Sequence, residues 1–364
     1  MINQFSLKEQ NKKLKSEIIK KIDSVIASSS FILGSNLKKF ENNIARYLGV
    51  KYAIGCNSGT DAIYMALIAA GVKRSDEVIT TPFTYMATVE AIMFIGAKPV
   101  LVDIDKKTFN IDLAELNNKI NKNTKAIIPV HIFGNPIDVN EIKKIIGKKK
   151  IKIIEDCAQA FGAMVKNQKV GGLGDIGCFS FYPTKNLGCF GDGGMVVTNN
   201  KNYFKKIILL RNHGSLQRYI HTELGFNSRL DEIQAAILNI KLRYINKLNN
   251  LRIKIAAIYS DELKKVYGIK IPQIEKNTKH VFHQYTILAN NRAKIIEALN
   301  SKSIQTSIFY KYPVHKQKVF YSKYKTKVLK NCDYVQKRCL SLPIYPELNE
   351  KDIYKICSII KKVK

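Results

Sequence analysis

A short apolar run, a turn of small polar residues and a helix follow one another in "KYAIGCNSGTDAIYMALIAAG", residues 51–71. The run reads as a strand, Thr60 and Asp61 open the helix, and Gly71 closes it. The unit recurs. Further strands are predicted in "EVITTP", "KPVLVDID", "KAIIPVHIFG", "KIIEDCA", "IGCFSFY" and "GGMVVTN", separated by helical segments such as "TVEAIMFIG", "DLAELNNKI" and "DVNEIKKIIG". Parallel strands need crossover connections, so strands alternating with helices predict an α/β layered fold on a mostly parallel central sheet.

The two ends of the chain have a different texture. Residues 8–28 carry apolar side chains at helical spacing (Leu14, Ile18, Ile22, Val25) and run into the loop "SSSFILGS". A second helix, "NLKKFENNIARYLG", stops at Gly49. Beyond residue 245 come long lysine-rich helices, a strand in "FHQYTILA", the helix "NRAKIIEALNSK" and a closing helix "EKDIYKICSIIKKVK". The expected organisation is an N-terminal helical segment (1–30) packing with the small domain, a large domain (31–245) and a smaller C-terminal α/β domain (246–364).

Composition narrows the function classes. At 364 residues and 46% hydrophobic, the chain can bury a large core. The best membrane-span candidate, "EAIMFIGAKPVLVDID", is broken by Glu90, Lys98 and Asp103, and the N-terminus lacks the apolar stretch of a signal peptide. A cytoplasmic protein with no membrane partner is expected. The seven cysteines form no CxxC pair and no zinc-like spacing, so they read as reduced thiols and no metal is expected. The net charge of +31 invites a nucleic-acid reading. Only nine of the sixty basic residues are arginine, however, and the lysines are spread along the chain, which argues against a nucleic-acid footprint and leaves an anionic small substrate compatible.

Three places carry chemistry. In a parallel α/β fold, ligands gather at the carboxyl ends of strands, where helix N-termini offer free N–H groups to anions. Ser58, Gly59 and Thr60 lie at such a junction and are either a plain helix cap or a phosphate cradle. Asp156 stands at the end of the strand in "IIEDCAQAFGA", where an acid binds a metal, orients a histidine, holds a protonated ring nitrogen or simply caps a turn. Lys185 sits in "SFYPTKNLGCFGDGG", a Pro/Gly-bounded loop with no other charge before Asp192. Desolvation there lowers a lysine pKa and makes it a nucleophile. A phosphate cradle, a strand-end aspartate and a loop lysine are together the parts that hold pyridoxal 5'-phosphate.

The chain resembles the DegT/DnrJ/EryC1/StrS sugar aminotransferases, which have the aspartate-aminotransferase (type I) fold. The resemblance runs from "FILGSNLKKFENNIARYLGVKYAIGCNSGTDAIYMAL" through "EVITTPFTYMATVEAI", "IIEDCAQAFGA", "GDIGCFSFYPTKNLGCFGDGGMV" and "LGFNSRLDEIQAAIL" to "IFYKYPVHKQ". It implies that Lys185 forms the Schiff base, Asp156 pairs with the pyridinium nitrogen and Gln159 lies over the face or hydroxyl side of the ring. It further implies that Ser180, Gly59 and Thr60 bind the phosphate, that Tyr85 stacks on the ring and that Asn227 reaches the phosphate of the other subunit in a homodimer with shared active sites. Family members with histidine in place of this lysine dehydrate sugars; lysine implies transamination from L-glutamate, with pyridoxamine phosphate as the intermediate.

The same resemblance bears on the acceptor. Members that aminate carbon 4 often carry histidine three residues before the lysine, where this chain has Tyr182. Together with "KNLGCFGDGG" this points to carbon 3 of a nucleotide-linked 3-keto sugar, a dTDP-3-keto-6-deoxyhexose, with a UDP-linked 3-keto uronic acid or a 4-keto sugar as alternatives. Tyr182 and Tyr310 are expected to line the sugar site, with His315 nearby, although ordinary packing also accounts for the two tyrosines. Phe309 and Phe133 stand where relatives more often have histidine and tyrosine, which removes polar groups from the expected pocket. A different class of function, a non-catalytic cofactor- or nucleotide-binding regulator, is the remaining alternative.

Overall fold

The computed structural model describes residues 1–217, 219–324 and 328–363. Its centre is a seven-stranded sheet of β1 (Tyr52–Cys56), β2 (Glu77–Thr80), β3 (Lys98–Leu101), β4 (Thr124–Ile127), β5 (Lys152–Asp156), β6 (Ile176–Ser180) and β7 (Gly194–Thr198), in the spatial order β1-β7-β6-β5-β4-β2-β3. Six strands run one way and β7, antiparallel to both β6 and β1, runs the other. The inner strands are buried on both faces, as a crossover-connected sheet requires, while the edge strand β3 buries only Pro99 and Leu101. The predicted mostly parallel α/β architecture is therefore present, with one reversed strand that the sequence pattern did not announce.

Helices cover both faces. On the way to the C-terminus they are α1 (Lys8–Ser28), α2 (Ser35–Leu48), α3 (Gly59–Ala69), α4 (Ala87–Phe94), α5 (Leu113–Lys119), α6 (Val139–Ile146), α7 (Lys201–Leu210), α8 (Glu232–Leu242) and α9 (Ile245–Leu263). One face packs α2, α5, α6 and α8 through Phe40, Ile44, Leu116, Ile142 and Leu238; the other packs α3, α4 and α7 through Met65, Ile92 and Ile207. Gly49 ends α2 in the left-handed region (φ 73°), the conformation for which glycine was expected there.

A second core gathers the C-terminal elements: Tyr259 and Leu263 of α9, Ile287 of a three-stranded sheet, and Ile353 and Ile356 of the closing helix. That sheet consists of β8 (Ile269–Lys270), β9 (Tyr285–Ala289) and β10 (Cys339–Leu342), with β9 in the middle and antiparallel to both neighbours. Helices α10 (Arg292–Asn300), α11 (Lys330–Arg338) and α12 (Glu350–Lys362) accompany it. A separate cluster, Phe83, Phe109, Phe133, Leu288, Val314 and Cys332, cements this part to the large sheet.

The N-terminal segment departs from expectation. Helix α1 docks on α8, with Leu14 and Ile18 against Ile237 and Ile240, rather than on the small domain. The residues before it reach the small domain, where Ile2 bridges to Ile304 and Gln4 Nε2 donates to Leu342 O at 3.1 Å, and the first turns of α1 bring Glu9 and Lys13 near Glu347. The reason is the partner stripe: α8 turns isoleucines at helical spacing away from the sheet, and the amphipathic α1 buries its own stripe against them.

One buried carboxylate braces the sheet behind the site. Glu155 accepts from the N–H groups of Gly171 (2.9 Å), Leu173 (2.8 Å) and Gly174 (2.7 Å), and from His131 Nε2 at 3.0 Å. His131 Nδ1 accepts from Ile137 N at 3.1 Å, so the imidazole proton sits on Nε2 and points at Glu155. Removing the carboxylate strands three backbone donors in a fully buried space. Glu155→Ala is expected to lose about 3–5 kcal/mol of stability, read as the denaturation midpoint of the cofactor-free protein; a loss under about 1 kcal/mol would show that the loop is held by other contacts.

Candidate active site

The chain reversal at β7 brings four segments to one sheet edge. Gly194, the first residue of β7, pairs with both Cys56 at the end of β1 and Ser180 at the end of β6, and Asp156 closes β5 alongside. The approach there is too tight for side chains. A Cβ on Gly59 would lie 2.7 Å from Ser180 Cβ, and one on Gly194 would lie 2.2 Å from Ser58 O. Glycine at these two positions lets the N-terminus of α3 sit directly against the end of β6.

Over this edge opens a cavity of 480 Å³ lined by Gly59, Thr60, Thr84, Tyr85, Thr88, Phe133, Asp156, Gln159, Ser180, Tyr182, Lys185, His283, Phe309 and Tyr310, among others. Nine of the eleven residues proposed from sequence therefore meet in one place: Gly59, Thr60, Tyr85, Asp156, Gln159, Ser180, Tyr182, Lys185 and Tyr310. Tyr85 and Tyr182 stand open at its mouth, 63% and 52% exposed, while Tyr310 is packed against Phe133 (centroids 6.4 Å apart).

Two do not join them. His315 does not line the cavity of this chain: its Nε2 meets Asp333 Oδ1 of α11 at 3.4 Å, a carboxylate also held by Lys316 at 2.5 Å. Asn227 lies on exposed backbone bridged to Asn212, off this chain's cavity. Conversely, sequence reading missed Thr84, Thr88 and His283. The threonines flank Tyr85 in "FTYMAT", a motif already in view, whereas His283 arrives from the small domain and had no local signal. It is placed by a clamp: Val281 N and Gln284 N donate to Gly134 O and Phe133 O, and Asn186 Nδ2 donates to Val281 O at 3.0 Å.

Local chemistry sets the electrostatics. Tyr182–Lys185 is a tight turn with Pro183 second and Lys185 N donating to Tyr182 O at 2.8 Å. Asn186, next in sequence, is anchored to Asn249 Oδ1 at 2.8 Å. The Lys185 ammonium makes no hydrogen bond or ion pair among the described residues, and burial pushes its pKa down to about 8 against the pull of Asp156. Asp156 is 5% exposed. Burial raises its pKa, opposed by Ala158 N–H (3.1 Å), the Thr88 hydroxyl (2.8 Å), Lys185 and His131. His283, 6% exposed with Nδ1 unpartnered, is held neutral by burial and by the Lys185 and Arg252 charges. Gln159 is fixed at both ends, accepting from Phe133 N and donating to Tyr310 Oη, each at 2.8 Å.

These residues fit pyridoxal phosphate. The N–H groups of Gly59 and Thr60 have no acceptor among the described residues, while Ser58 caps the helix through Asp61 N at 3.0 Å. Two free donors at a helix N-terminus beside the Ser180 hydroxyl form an anion cradle. A buried carboxylate whose charged form needs a cation, and an unpartnered amine of lowered basicity, complete the donor set. The nearby His131, Glu155 and Cys157 lie within 4.8 Å of one another, but the histidine nitrogens and both carboxylate oxygens are already committed to each other and to backbone N–H groups.

The chain matches the model of the DegT/DnrJ/EryC1/StrS aminotransferase family over residues 12–361. It is 46% identical to a "pleiotropic regulatory protein" of Geobacillus stearothermophilus, over 95% of this chain and 94% of that one. It is 42% identical to a UDP-N-acetyl-3-dehydro-α-D-glucosamine 3-aminotransferase of Acidithiobacillus ferrooxidans (96% and 94%) and 39% to a dTDP-3-amino-3,6-dideoxy-α-D-galactopyranose transaminase of Aneurinibacillus thermoaerophilus (100% and 99%). In three dimensions it is similar to S. venezuelae DesV, solved in complex with a ketimine intermediate, with a TM-score of 0.96 at 35% identity over 98% of this chain and 96% of that one. A type I aminotransferase fold, a cavity that assembles lysine, aspartate and phosphate cradle, and a match along nearly the whole length identify the chain as a member of the DegT/DnrJ/EryC1/StrS aminotransferase family.

Proposed function

We propose that this protein transfers the amino group of L-glutamate to C3 of a nucleotide-linked 3-keto sugar, giving 2-oxoglutarate and the 3-amino sugar. The observation that carries the reading is Lys185, an unpaired amine with its pKa lowered to about 8, in one cavity with Asp156 and the free N–H groups of Gly59 and Thr60. Pyridoxal phosphate, when bound, supplies a carbonyl that accepts the amino group and a ring that stores the electrons of the broken C–H bond. Gly59, Thr60 and Ser180 hold its phosphate, Asp156 faces its ring nitrogen, and Gln159 is locked in position over it by Phe133 and Tyr310. Tyr85 covers the ring from the cavity mouth. The Lys185 Nζ takes the α-proton of L-glutamate and later gives a proton to the sugar carbon that receives nitrogen.

The sugar-side wall supports a 6-deoxyhexose. Phe133, Phe309 and Tyr310 present an apolar aromatic surface. A methyl group at C6 suits that wall. Tyr182 supports carbon 3 through the sequence resemblance. In the same reading the protein is a cytoplasmic homodimer, and Asn227 serves the phosphate of the second copy. All seven cysteines are free, which suits a reducing compartment. Among the described residues no helix is long and apolar enough to cross a membrane.

The test supplies the purified protein with pyridoxal phosphate, L-glutamate and, in separate arms, dTDP-linked 3-keto and 4-keto 6-deoxysugars and a UDP-linked 3-keto uronate, and measures 2-oxoglutarate. Release with the dTDP 3-keto sugar is expected. Release with the uronate instead would overturn the acceptor, release with the 4-keto sugar the regiochemistry, and silence in every arm would favour a regulator that does not turn over.

A further inference from the structure

Asp156 has an unusual supply of partners. A carboxylate buried this deeply needs donors to its charged form. The neighbouring imidazole of His131 does not supply one, since both its nitrogens are engaged elsewhere, with Glu155 and Ile137 N. Among the described residues, the single side-chain hydrogen bond to Asp156 comes from Thr88, whose Oγ1 donates to Oδ2 at 2.8 Å; the other oxygen accepts from Ala158 N at 3.1 Å. Behind Thr88 stands Thr84, Oγ1 to Oγ1 at 2.9 Å, and all three residues are buried (4%, 1% and 5% exposed for Thr84, Thr88 and Asp156). A hydroxyl has one proton to give. Because Thr88 spends its proton on Asp156, Thr84 must be the donor to Thr88, so the chain of hydrogen bonds runs in one direction, Thr84 to Thr88 to Asp156.

We propose that Thr84 and Thr88 form a hydroxyl relay that holds the Asp156 carboxylate in the orientation and charge state required by the ring nitrogen of pyridoxal phosphate. This rests on the assignment of pyridoxal phosphate to the cavity. Thr88 is a positioning residue that acts through Asp156, and Thr84 acts through Thr88, because a hydroxyl that accepts a hydrogen bond donates more strongly. The two sit four residues apart, Thr84 in the loop after β2 and Thr88 in the first turn of α4. Neither threonine hydrogen-bonds Lys185, which the relay reaches only through the charge of Asp156.

The experiment uses the full chain and four variants: Thr88→Val, Thr88→Ser, Thr84→Val and the double valine. Two quantities are read: the dissociation constant of pyridoxal phosphate, and the nitrogen-15 chemical shift of ring-labelled cofactor, which reports protonation of the ring nitrogen. Thr88→Val is expected to weaken binding about tenfold, the scale of one hydrogen bond to a charged group, and to move the shift toward the unprotonated value. Thr88→Ser is expected to restore both to within about twofold, and Thr84→Val to weaken binding about two- to threefold. In the double variant the Thr84 change is expected to add nothing, because its route to Asp156 has gone. A serine variant as weak as the valine one, or full additivity, would assign the threonines to packing and overturn the relay; so would an unchanged nitrogen shift in Thr88→Val. Should Thr88→Val fail to fold, Thr84→Val and Thr88→Ser decide it alone, through a graded shift or none. Wild-type protein that takes up no pyridoxal phosphate would instead overturn the cofactor assignment.

Discussion

Lys185→Ala is expected to lower kcat at least about 10³-fold, since on the proposed reading the variant loses both the covalent tether and the group that moves the proton. Borohydride treatment followed by mass spectrometry should find the cofactor fixed to Lys185 in the wild-type protein and nowhere in the variant. The lowered pKa of about 8 adds a pH signature. At pH 7 about 10% of the amine is neutral, against about 0.03% for a lysine of ordinary basicity. Capture of pyridoxal phosphate by the cofactor-free protein should accordingly speed up about tenfold per pH unit below 8 and level off above it. A variant that retains turnover would remove Lys185 from the chemistry, and a capture rate still climbing steeply at pH 9.5 would show that burial does not set the basicity of this amine.

The second large effect concerns charge without shape. Asp156→Asn keeps the side-chain outline at the end of β5 and deletes the negative charge that we propose faces the ring nitrogen of the cofactor. A loss of about 10²–10³ in kcat is expected, the scale of removing one preorganised electrostatic partner. Because Asp156 raises the Lys185 pKa, its loss also moves the break in the capture profile below pH 8. Both readings come from one protein preparation. Activity within about tenfold of wild type, with the break unmoved, would show that the ring nitrogen is not paired with this residue.

How much of the fold and the site was legible in the sequence differs by part. All seven strands of the main sheet lie in the runs picked out by their β-branched composition, and Gly59, Asp156, Ser180 and Lys185 converge because each lies at the end of a strand or in the segment just beyond it. Direction was not legible: "GGMVVTN" reads the same whether β7 runs with or against its neighbours, since burial on both faces removes the alternation that would orient it. Contacts between distant segments were equally silent. The docking of α1 on α8 depends on which of several apolar stripes is free, and His283 enters the cavity only because backbone bonds to Phe133 and Gly134 carry it there. His315 shows the converse, a motif position whose imidazole is claimed by an aspartate on a helix that the motif does not include.

The reversed strand has a consequence in time. β1 joins the sheet only through β7, its sole strand neighbour, and its partner residues lie roughly 140 positions later. On a ribosome adding about 5–20 residues per second, β1 and the start of α3 therefore wait roughly 7–30 s for the strand that seats them. The phosphate cradle, though encoded near the beginning of the chain, is among the last parts of the large domain to exist. Free pyridoxal phosphate can accordingly stabilise the completed domain but has no site on the nascent chain through most of its synthesis.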